Sequence, residues 1–137
     1  MPLYSVNKEA EIGIPNLAKV FIEKISSADL LIVSLAEHNG SYFTAFKNLM
    51  DWLSRANGEF FQQKPMLLLA TSPGAMGGQF VLQAATSRFP RHAARILETF
   101  SLPFFQENFD FEKGIVNEEK KAELIEKVKQ VSENLQS

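Results

Sequence analysis

The 137 residues carry a net charge of −2, a hydrophobic fraction of 45% and no cysteine. The near-neutral charge gives no attraction to nucleic acid or to an anionic membrane, and the absence of cysteine excludes disulfides, thiolate metal sites and cysteine nucleophiles. No segment has the length of a membrane span or the pattern of a signal peptide. We therefore expect residues 1–137 to form a single domain of a cytoplasmic protein, without a metal site.

Helical and strand patterns alternate along the chain. Apolar residues recur at helical spacing after Pro15. Residues 29–34 are then an almost purely apolar run, which is typical of a strand buried on both faces. A helix from about Thr44 to Ser54 follows, and Asn57-Gly58 is a helix-stop signal.

The second half repeats this alternation. Residues 66–70 form a second apolar strand, and a helix follows the glycine pair Gly77-Gly78. A third strand ends before Pro103, and Asn117 is suited to cap a last helix. Such alternation predicts an α/β fold with a parallel sheet that is covered on both faces, although only three strands are visible.

Two polar, glycine-bearing loops follow the first two strands, at residues 37–41 and 72–78. Because the carboxyl ends of parallel strands open on the same edge of a sheet, we expect these loops to lie together. Their glycines let the backbone approach a flat ligand closely, and the side chains of Asn39 and Ser72 suit the polar rim of a ring. Two tight turns without a ligand would show the same spacing, so both alternatives stay open at this point.

The order of residues in these segments resembles the NADPH-dependent FMN reductase family, flavodoxin-like flavoproteins that include azobenzene and quinone reductases. That family carries a Pro-Glu-Tyr-Asn-Gly-Ser loop and then a helix similar to Leu-Lys-Asn-Ala-Ile-Asp-Trp-Leu-Ser. Here the helix segment is Phe46 to Ser54, and the loop is Ala36, Glu37, His38, Asn39, Gly40 and Ser41. The family's Ser-Pro-Gly loop and glycine pair are matched by Ser72, Pro73, Gly74, Gly77 and Gly78.

The resemblance implies a flavodoxin-like, three-layer α/β/α fold that is shortened at its N-terminal end. It also implies an NAD(P)H-dependent reductase that acts on a flavin, a quinone or an azo compound through FMN. Hydride would pass through the flavin N5, a step that needs no catalytic side chain. The FMN ring would lie between the two loops and contact Ala36, Glu37, His38, Asn39, Ser41, Ser72, Pro73, Gly74 and Gly77.

The sequence departs from the family pattern in three places. Ala36 replaces a proline, His38 replaces a tyrosine, and no segment matches the Gly-Ser-x-Arg-x-x-Ser loop that holds the FMN phosphate in the family. The alternative function is therefore that of a non-catalytic fold remnant or truncated chain, which binds FMN weakly and acts through self-assembly or a partner chain.

The absent first strand of the flavodoxin-like order would leave residues 29–34 at a sheet edge. Unpaired edges invite pairing with another chain. The family is also commonly dimeric or tetrameric, with helices near the flavin site at the contact. Together these points predict a homodimer or tetramer that covers the edge or the adjoining bare face.

Three further expectations concern single side chains and a cluster. His92, beside Arg91 and Arg95, could attract a phosphate, but we expect a solvated loop there. Trp52 is expected in the core or at a subunit contact. The phenylalanines at positions 104, 105, 109 and 111 are expected to form a small cluster over the sheet.

Overall fold

The computed structural model describes all residues, Met1–Ser137. Its helices are α1 (Val6–Ile12), α2 (Asn16–Ser27), α3 (Thr44–Ala56), α4 (Gln79–Arg88), α5 (Phe105–Asn108) and α6 (Glu118–Gln136), with a 3-10 turn at Phe89–His92. Its strands are β1 (Leu31–Leu35), β2 (Glu37–His38), β3 (Ser41–Tyr42), β4 (Pro65–Thr71), β5 (Arg95–Leu102), β6 (Phe109–Asp110) and β7 (Gly114–Ile115). No helix is both long enough and apolar enough to cross a membrane.

The central sheet has three parallel strands in the order β1-β4-β5. Leu31 pairs with Met66 at one end of the β1–β4 ladder, and Leu35 pairs with Ala70 at the other. A flavodoxin-like sheet has the order 2-1-3-4-5, so the observed order corresponds to its last three strands. The predicted α/β fold with three visible strands is confirmed.

Helices cover the sheet on both faces. On one face, α2, α3 and α4 pack with Met66 and Leu68 of β4 in the main hydrophobic core. On the other face, Lys120 of α6 lies over the ring of Phe100 in β5, with Nζ 5.9 Å from the ring centroid. This second face also buries Leu67, whose Cα partner in β1 is Ile32.

The expectation that the first strand is buried on both faces is wrong. Leu35 is buried, and Leu31 and Val33 pack against the core. The alternate residues Ile32 and Ser34 are exposed, with Ile32 61% exposed. The physical reason is the position of β1, which is at the edge of the sheet and has a covering layer on one face only. The prediction of a free edge at this strand is confirmed.

Several short elements were not predicted from the sequence, namely α1, the β2–β3 hairpin, α5 and the β6–β7 hairpin. Helix α1 begins at the N-cap Ser5, whose Oγ accepts a hydrogen bond from Lys8 N at 3.1 Å. Strands β2 and β3 form a hairpin across Asn39 and Gly40, which have φ values of 53° and 72°. Two adjacent residues with positive φ are the requirement of a two-residue hairpin turn, and Asn-Gly is its preferred sequence.

The expectation of a solvated His92 is also wrong, because this side chain is only 7% exposed. Its Nδ1 lies 2.8 Å from Gly58 O, and Arg88 Nε donates to its Nε2 at 3.2 Å. The ring also stacks on Phe60, with centroids 4.5 Å apart. His92 therefore joins three segments of the core. The core position predicted for Trp52 is confirmed, since its ring is fully buried.

Candidate functional site

The two candidate loops emerge at the same edge of the sheet. Leu35 ends β1, and its partner Ala70 is one residue before the end of β4. Neighbouring strands lie about 4.8 Å apart, so the backbone leaves the sheet at two adjacent points. The first loop is the β2–β3 hairpin and the second is residues 72–78. The sequence-based expectation that the loops lie together is confirmed at the level of the backbone.

The first loop is anchored to helix α4 by Glu37. Its Oε2 accepts a hydrogen bond from Val81 N, at 2.9 Å, in the first turn of that helix. A carboxylate stabilises the free N–H groups and the positive dipole end of a helix N-terminus. The Glu37 carboxylate therefore fixes the hairpin beside α4, in addition to any contact with a ligand.

Tyr42 supports the base of the same hairpin. Its ring stacks on Phe89, with centroids 6.2 Å apart and an angle of 6° between the planes. The hydroxyl is buried without a hydrogen-bond partner. Burial raises the pKa of Tyr42 above its usual value, while nearby Arg88 lowers it. The ring thus positions the hairpin as a neutral, apolar support.

The second loop is joined to the end of β5 and the segment that follows it. Phe104 N donates to Gly74 O at 3.1 Å, and Phe105 N donates to Ser72 O at 3.0 Å. Ser101 Oγ donates to Gly77 O at 2.9 Å. These bonds attach residues 72–78 to the end of β5 and to the segment that follows it.

The glycines of this loop have different structural roles. Gly77 has φ +57°, and a Cβ there would lie 2.3 Å from Ser101 Oγ and 2.9 Å from Pro103 N. Glycine is therefore required at this position for the chain to fold over β5. A Cβ on Gly74 would meet no atom within 4 Å, so the surface beside Gly74 is open to a ligand.

Both loops present backbone donors that no protein group uses. The N–H groups of Gly74, Ala75 and Met76 have no acceptor in the chain, and those of Asn39 and Gly40 have none either. Free N–H groups in a turn bind anions and carbonyl oxygens. A flat ligand with oxygens along one rim fits this arrangement, and its binding needs no charged side chain.

The structure places the predicted site residues on these loops in unequal environments. Most are open to solvent, two are partly buried and Gly77 is buried. The exposed ones are Ala36, His38, Asn39, Ser41, Pro73 and Gly74, and the partly buried ones are Glu37 and Ser72. Residues 36–41 and 72–78 line none of the five main cavities of the chain, and only Tyr42, at the base of the hairpin, borders one of them. The loops thus form an open ledge.

Some residues at this ledge were not predicted from the sequence as site residues. Ala75 and Met76 supply two of its free N–H groups, and Phe104 is attached to Gly74 by a backbone hydrogen bond and is partly exposed. The expected aromatic cluster forms without Phe104, because Phe105 and Phe109 stack with centroids 4.9 Å apart and Phe111 contacts both rings edge-on. The bond between Phe104 and Gly74 joins two distant segments, and no pattern in the sequence signals it.

The comparisons with known proteins agree on one family. The family model for NADPH-dependent FMN reductase matches residues 1–108. A quinone reductase from Escherichia coli (strain K12) is 35% identical over 78 residues, which are 57% of this chain and 42% of that relative. The match to this relative therefore spans less than half of its length.

Two other proteins match along the whole chain. An Arabidopsis thaliana NADPH:quinone oxidoreductase is 31% identical over 141 residues, which cover 100% of this chain and 69% of the relative. The solved structure of FerB, a flavoenzyme NAD(P)H:(acceptor) oxidoreductase from Paracoccus denitrificans, superposes with a TM-score of 0.72 at 19% identity. That superposition covers 97% of this chain and 76% of FerB, and it shows the fold.

Proposed function

The chain belongs to the NADPH-dependent FMN reductase family, and we propose that it binds FMN and catalyses NAD(P)H-dependent reduction of a small acceptor, such as a flavin or a quinone. The observation that carries this proposal is the pair of loops with free backbone N–H groups at the carboxyl edge of the sheet. Ligands of open α/β sheets bind at this edge. Relatives named as quinone reductases support the acceptor class.

We infer that the two loops contact different parts of the flavin. The free N–H groups of Gly74, Ala75 and Met76 would bind the oxygens of the flavin rim. His38 and Asn39 would border the ring from the first loop, since both side chains are exposed there. Bound FMN would supply hydride transfer through its N5. The chain would bind and orient the ring, without a catalytic acid or base.

The remaining proposed contacts are Ala36, Glu37, Ser41, Ser72, Pro73 and Gly77. Glu37 and Gly77 also have structural roles. Glu37 accepts the hydrogen bond from Val81 N, and Gly77 packs closely on Ser101. A substitution at either position would disturb the loop itself. Neither is therefore a suitable position for testing ligand contact.

The alternative, a chain without catalysis that binds FMN weakly and acts through self-assembly or a partner chain, is favoured by one observation. The ledge is open, and no segment of the chain matches the family's phosphate-binding loop. Retention of FMN separates the two proposals, because a chain that is colourless after incubation with micromolar FMN and removal of the free flavin supports the alternative.

We also propose that the chain forms a homodimer or tetramer through the helices that border the ledge. Met76 and Phe80 are half-exposed at the start of α4, where a second copy would cover them. Light scattering at micromolar concentration measures the mass. The cytoplasmic location and the single domain over residues 1–137 stay predictions from the sequence.

Titration with FMN tests the proposed ligand site. We expect Gly74→Val to weaken FMN binding by at least about tenfold, since the open surface beside Gly74 would then be occupied by a side chain. Gly58→Val is the matched control, because Gly58 also has open space around its Cβ position and lies outside both loops. Equal FMN affinity in wild type and both variants would contradict the proposal that the ledge is the flavin site.

A further inference from the structure

A small polar cavity lies between helix α3 and the C-terminal end of α4. Its volume is about 240 Å³, and a water molecule takes up about 30 Å³ in the liquid, so the cavity has room for a small organic molecule. Lys47, Asp51 and Arg88 are the charged residues of its wall. None of its lining residues belongs to the loops at 36–41 and 72–78. The cavity is therefore separate from the ledge.

Tyr42 contributes a hydroxyl group with an unmet hydrogen bond to this wall. The residue lines the cavity, and its hydroxyl is the one buried side-chain polar atom of the chain that has no partner. Buried polar groups are normally hydrogen-bonded to protein or to an ordered small molecule. An unpartnered hydroxyl at a cavity wall therefore indicates that the cavity holds an acceptor.

Arg88 contributes a fixed guanidinium group. Its Nε donates to His92 Nε2 at 3.2 Å, and the His92 ring is itself held by Gly58 O and by stacking on Phe60. Arg88 forms no ion pair with a carboxylate of the chain. Its two Nη groups are thus free, and they form the planar fork that binds both oxygens of a carboxylate.

The charges around the cavity favour a ligand with a single negative charge. Lys47 Nζ lies 2.7 Å from Asp51 Oδ1, so these two charges compensate each other. His92 is neutral in this arrangement, because its Nε2 accepts the hydrogen bond from Arg88. One positive charge, that of Arg88, is left without a partner. The Asp51 carboxylate would repel a dianion more strongly than a monoanion.

The remaining wall is apolar. Met50 is only 5% exposed and lines the cavity together with the Tyr42 ring. Sites for small ligands combine apolar walls with a few polar groups that fix the orientation of the ligand. Met50 and the Tyr42 ring therefore suit a short hydrocarbon chain, which inorganic phosphate lacks.

We propose that this cavity binds a short-chain monocarboxylate. The carboxylate accepts two hydrogen bonds from the Arg88 Nη groups and a third from the Tyr42 hydroxyl, and the hydrocarbon part contacts Met50. Tyr42 is in β3 and pairs with Glu37 of β2. A ligand on the Tyr42 hydroxyl would therefore stabilise the hairpin that carries the first loop of the ledge.

NMR of the intact chain with ¹³C at the tyrosine Cζ atoms tests this site. The chain has two tyrosines, and the hydroxyl of the other one, Tyr4, donates to Glu9 Oε2 at 2.9 Å. Sodium propionate is the probe, and sodium chloride keeps the ionic strength constant. We expect propionate to cause a saturable shift of the Tyr42 Cζ resonance and no shift of the Tyr4 resonance.

Tyr42→Phe separates ligand binding from folding. The hydroxyl has no partner to lose, so the variant should be at least as stable as wild type. We expect it to bind propionate at least about tenfold more weakly, because a hydrogen bond to a charged group is lost. Tyr4→Phe is the matched control and should bind as wild type does. The backbone amide shifts of Arg88 and His92 measure the affinity in each variant.

Four results would overturn the proposal. The first is a Tyr42 resonance that does not shift with propionate, and the second is equal affinity in wild type and Tyr42→Phe. The third is tighter binding of phosphate than of propionate. The fourth is a Tyr42 shift that grows with the concentration of the chain alone, since a carboxylate of a second copy would then occupy the cavity. All of these measurements are made without flavin, so they are independent of the FMN titration.

Discussion

His92 shows how a side chain with the neighbours of an anion site can instead join segments of the core. A histidine next to two arginines has the composition of an anion site, yet both ring nitrogens are engaged within the chain. Nδ1 bonds to Gly58 O and Nε2 accepts from Arg88. In this state Nδ1 carries the proton, because a donor occupies the other nitrogen. The role follows from long-range contacts that local sequence does not encode.

Replacement of this residue tests that role. We expect His92→Leu to lower the free energy of unfolding by about 1–3 kcal/mol, because the substitution leaves the partners of both ring nitrogens without a hydrogen bond. Urea denaturation at pH 7 measures the change. His38→Leu is the control, since the His38 side chain is exposed and only the backbone of His38 is paired, with Ser41, and its effect should stay within about 0.5 kcal/mol. Equal effects of both substitutions would contradict the core role of His92.

At the scale of elements, the long periodic segments were predictable and the short ones were not. The spacing of Phe46, Met50 and Leu53 indicates α3 directly, because three buried or half-buried residues on one helix face give a strong period. Helix α1 buries no residue, so it leaves no such period. Its stability comes from the Ser5 cap and from the bond between Glu9 and Arg55, 46 residues away.

The β2–β3 hairpin is a different case, because the sequence contains a dipeptide that is typical of hairpin turns. Asn39-Gly40 is a strong hairpin dipeptide, but each strand contains only two residues, too few for a visible alternation of apolar and polar positions. The location of the candidate site was nevertheless predictable, since it depends on where β1 and β4 end. Its anchoring by Glu37 to Val81 was not, because that bond spans 44 residues.

Helix α6 contains two ion pairs within the helix, from Glu123 to Lys120 and to Lys127, and these give a pH dependence. A hydrogen bond from Lys120 lowers the pKa of Glu123 below its usual value; partial burial opposes this shift, and Lys127 adds to it. A carboxylate with a lowered pKa stabilises the folded state above its unfolded pKa. That contribution disappears as the pH falls through the folded value.

We therefore expect Glu123→Gln to be less stable than wild type at pH 7, by less than about 1 kcal/mol because the pair is partly exposed. The difference should shrink as the pH falls from 7 toward 3, and it vanishes once Glu123 is protonated in both states. Urea denaturation at the two pH values measures it. Glu133→Gln, on the exposed end of the same helix, is the control and should show no such change. A difference that persists unchanged at pH 3 would contradict the role of ionised Glu123.

At the scale of the whole molecule, the free edge of β1 determines which parts of the sheet are left uncovered. The same position in the sheet explains why Ile32 is exposed and why an apolar cavity lies between β1, α2 and α3. The strand order of the family, with its first strand unmatched, was enough to predict the edge. The cavity and the bare face needed the structure, because they depend on how α2, α3 and α6 lie beyond the last strand.

The lack of a match to the family's phosphate-binding loop affects how well the chain distinguishes FMN from riboflavin. The two flavins share the ring and differ in the phosphate. A phosphate cradle provides charge-assisted hydrogen bonds of about 1.5–3 kcal/mol each. Two of them amount to roughly 3–6 kcal/mol, or about two to four orders of magnitude in affinity. Nothing in the sequence matches the family's cradle, so the phosphate should add little to binding.

We expect the chain to bind FMN and riboflavin with dissociation constants within about threefold of each other, a difference of less than 1 kcal/mol. Both should bind more weakly than FMN binds to a full-length member of the family, by roughly two to four orders of magnitude for the reason above. Isothermal titration with each flavin measures the ratio. Gly74→Val should weaken both flavins alike, because we propose that the shared ring binds at the open surface beside Gly74. Binding of FMN a hundredfold tighter than that of riboflavin would mean that this chain holds the phosphate itself, through residues outside the two loops.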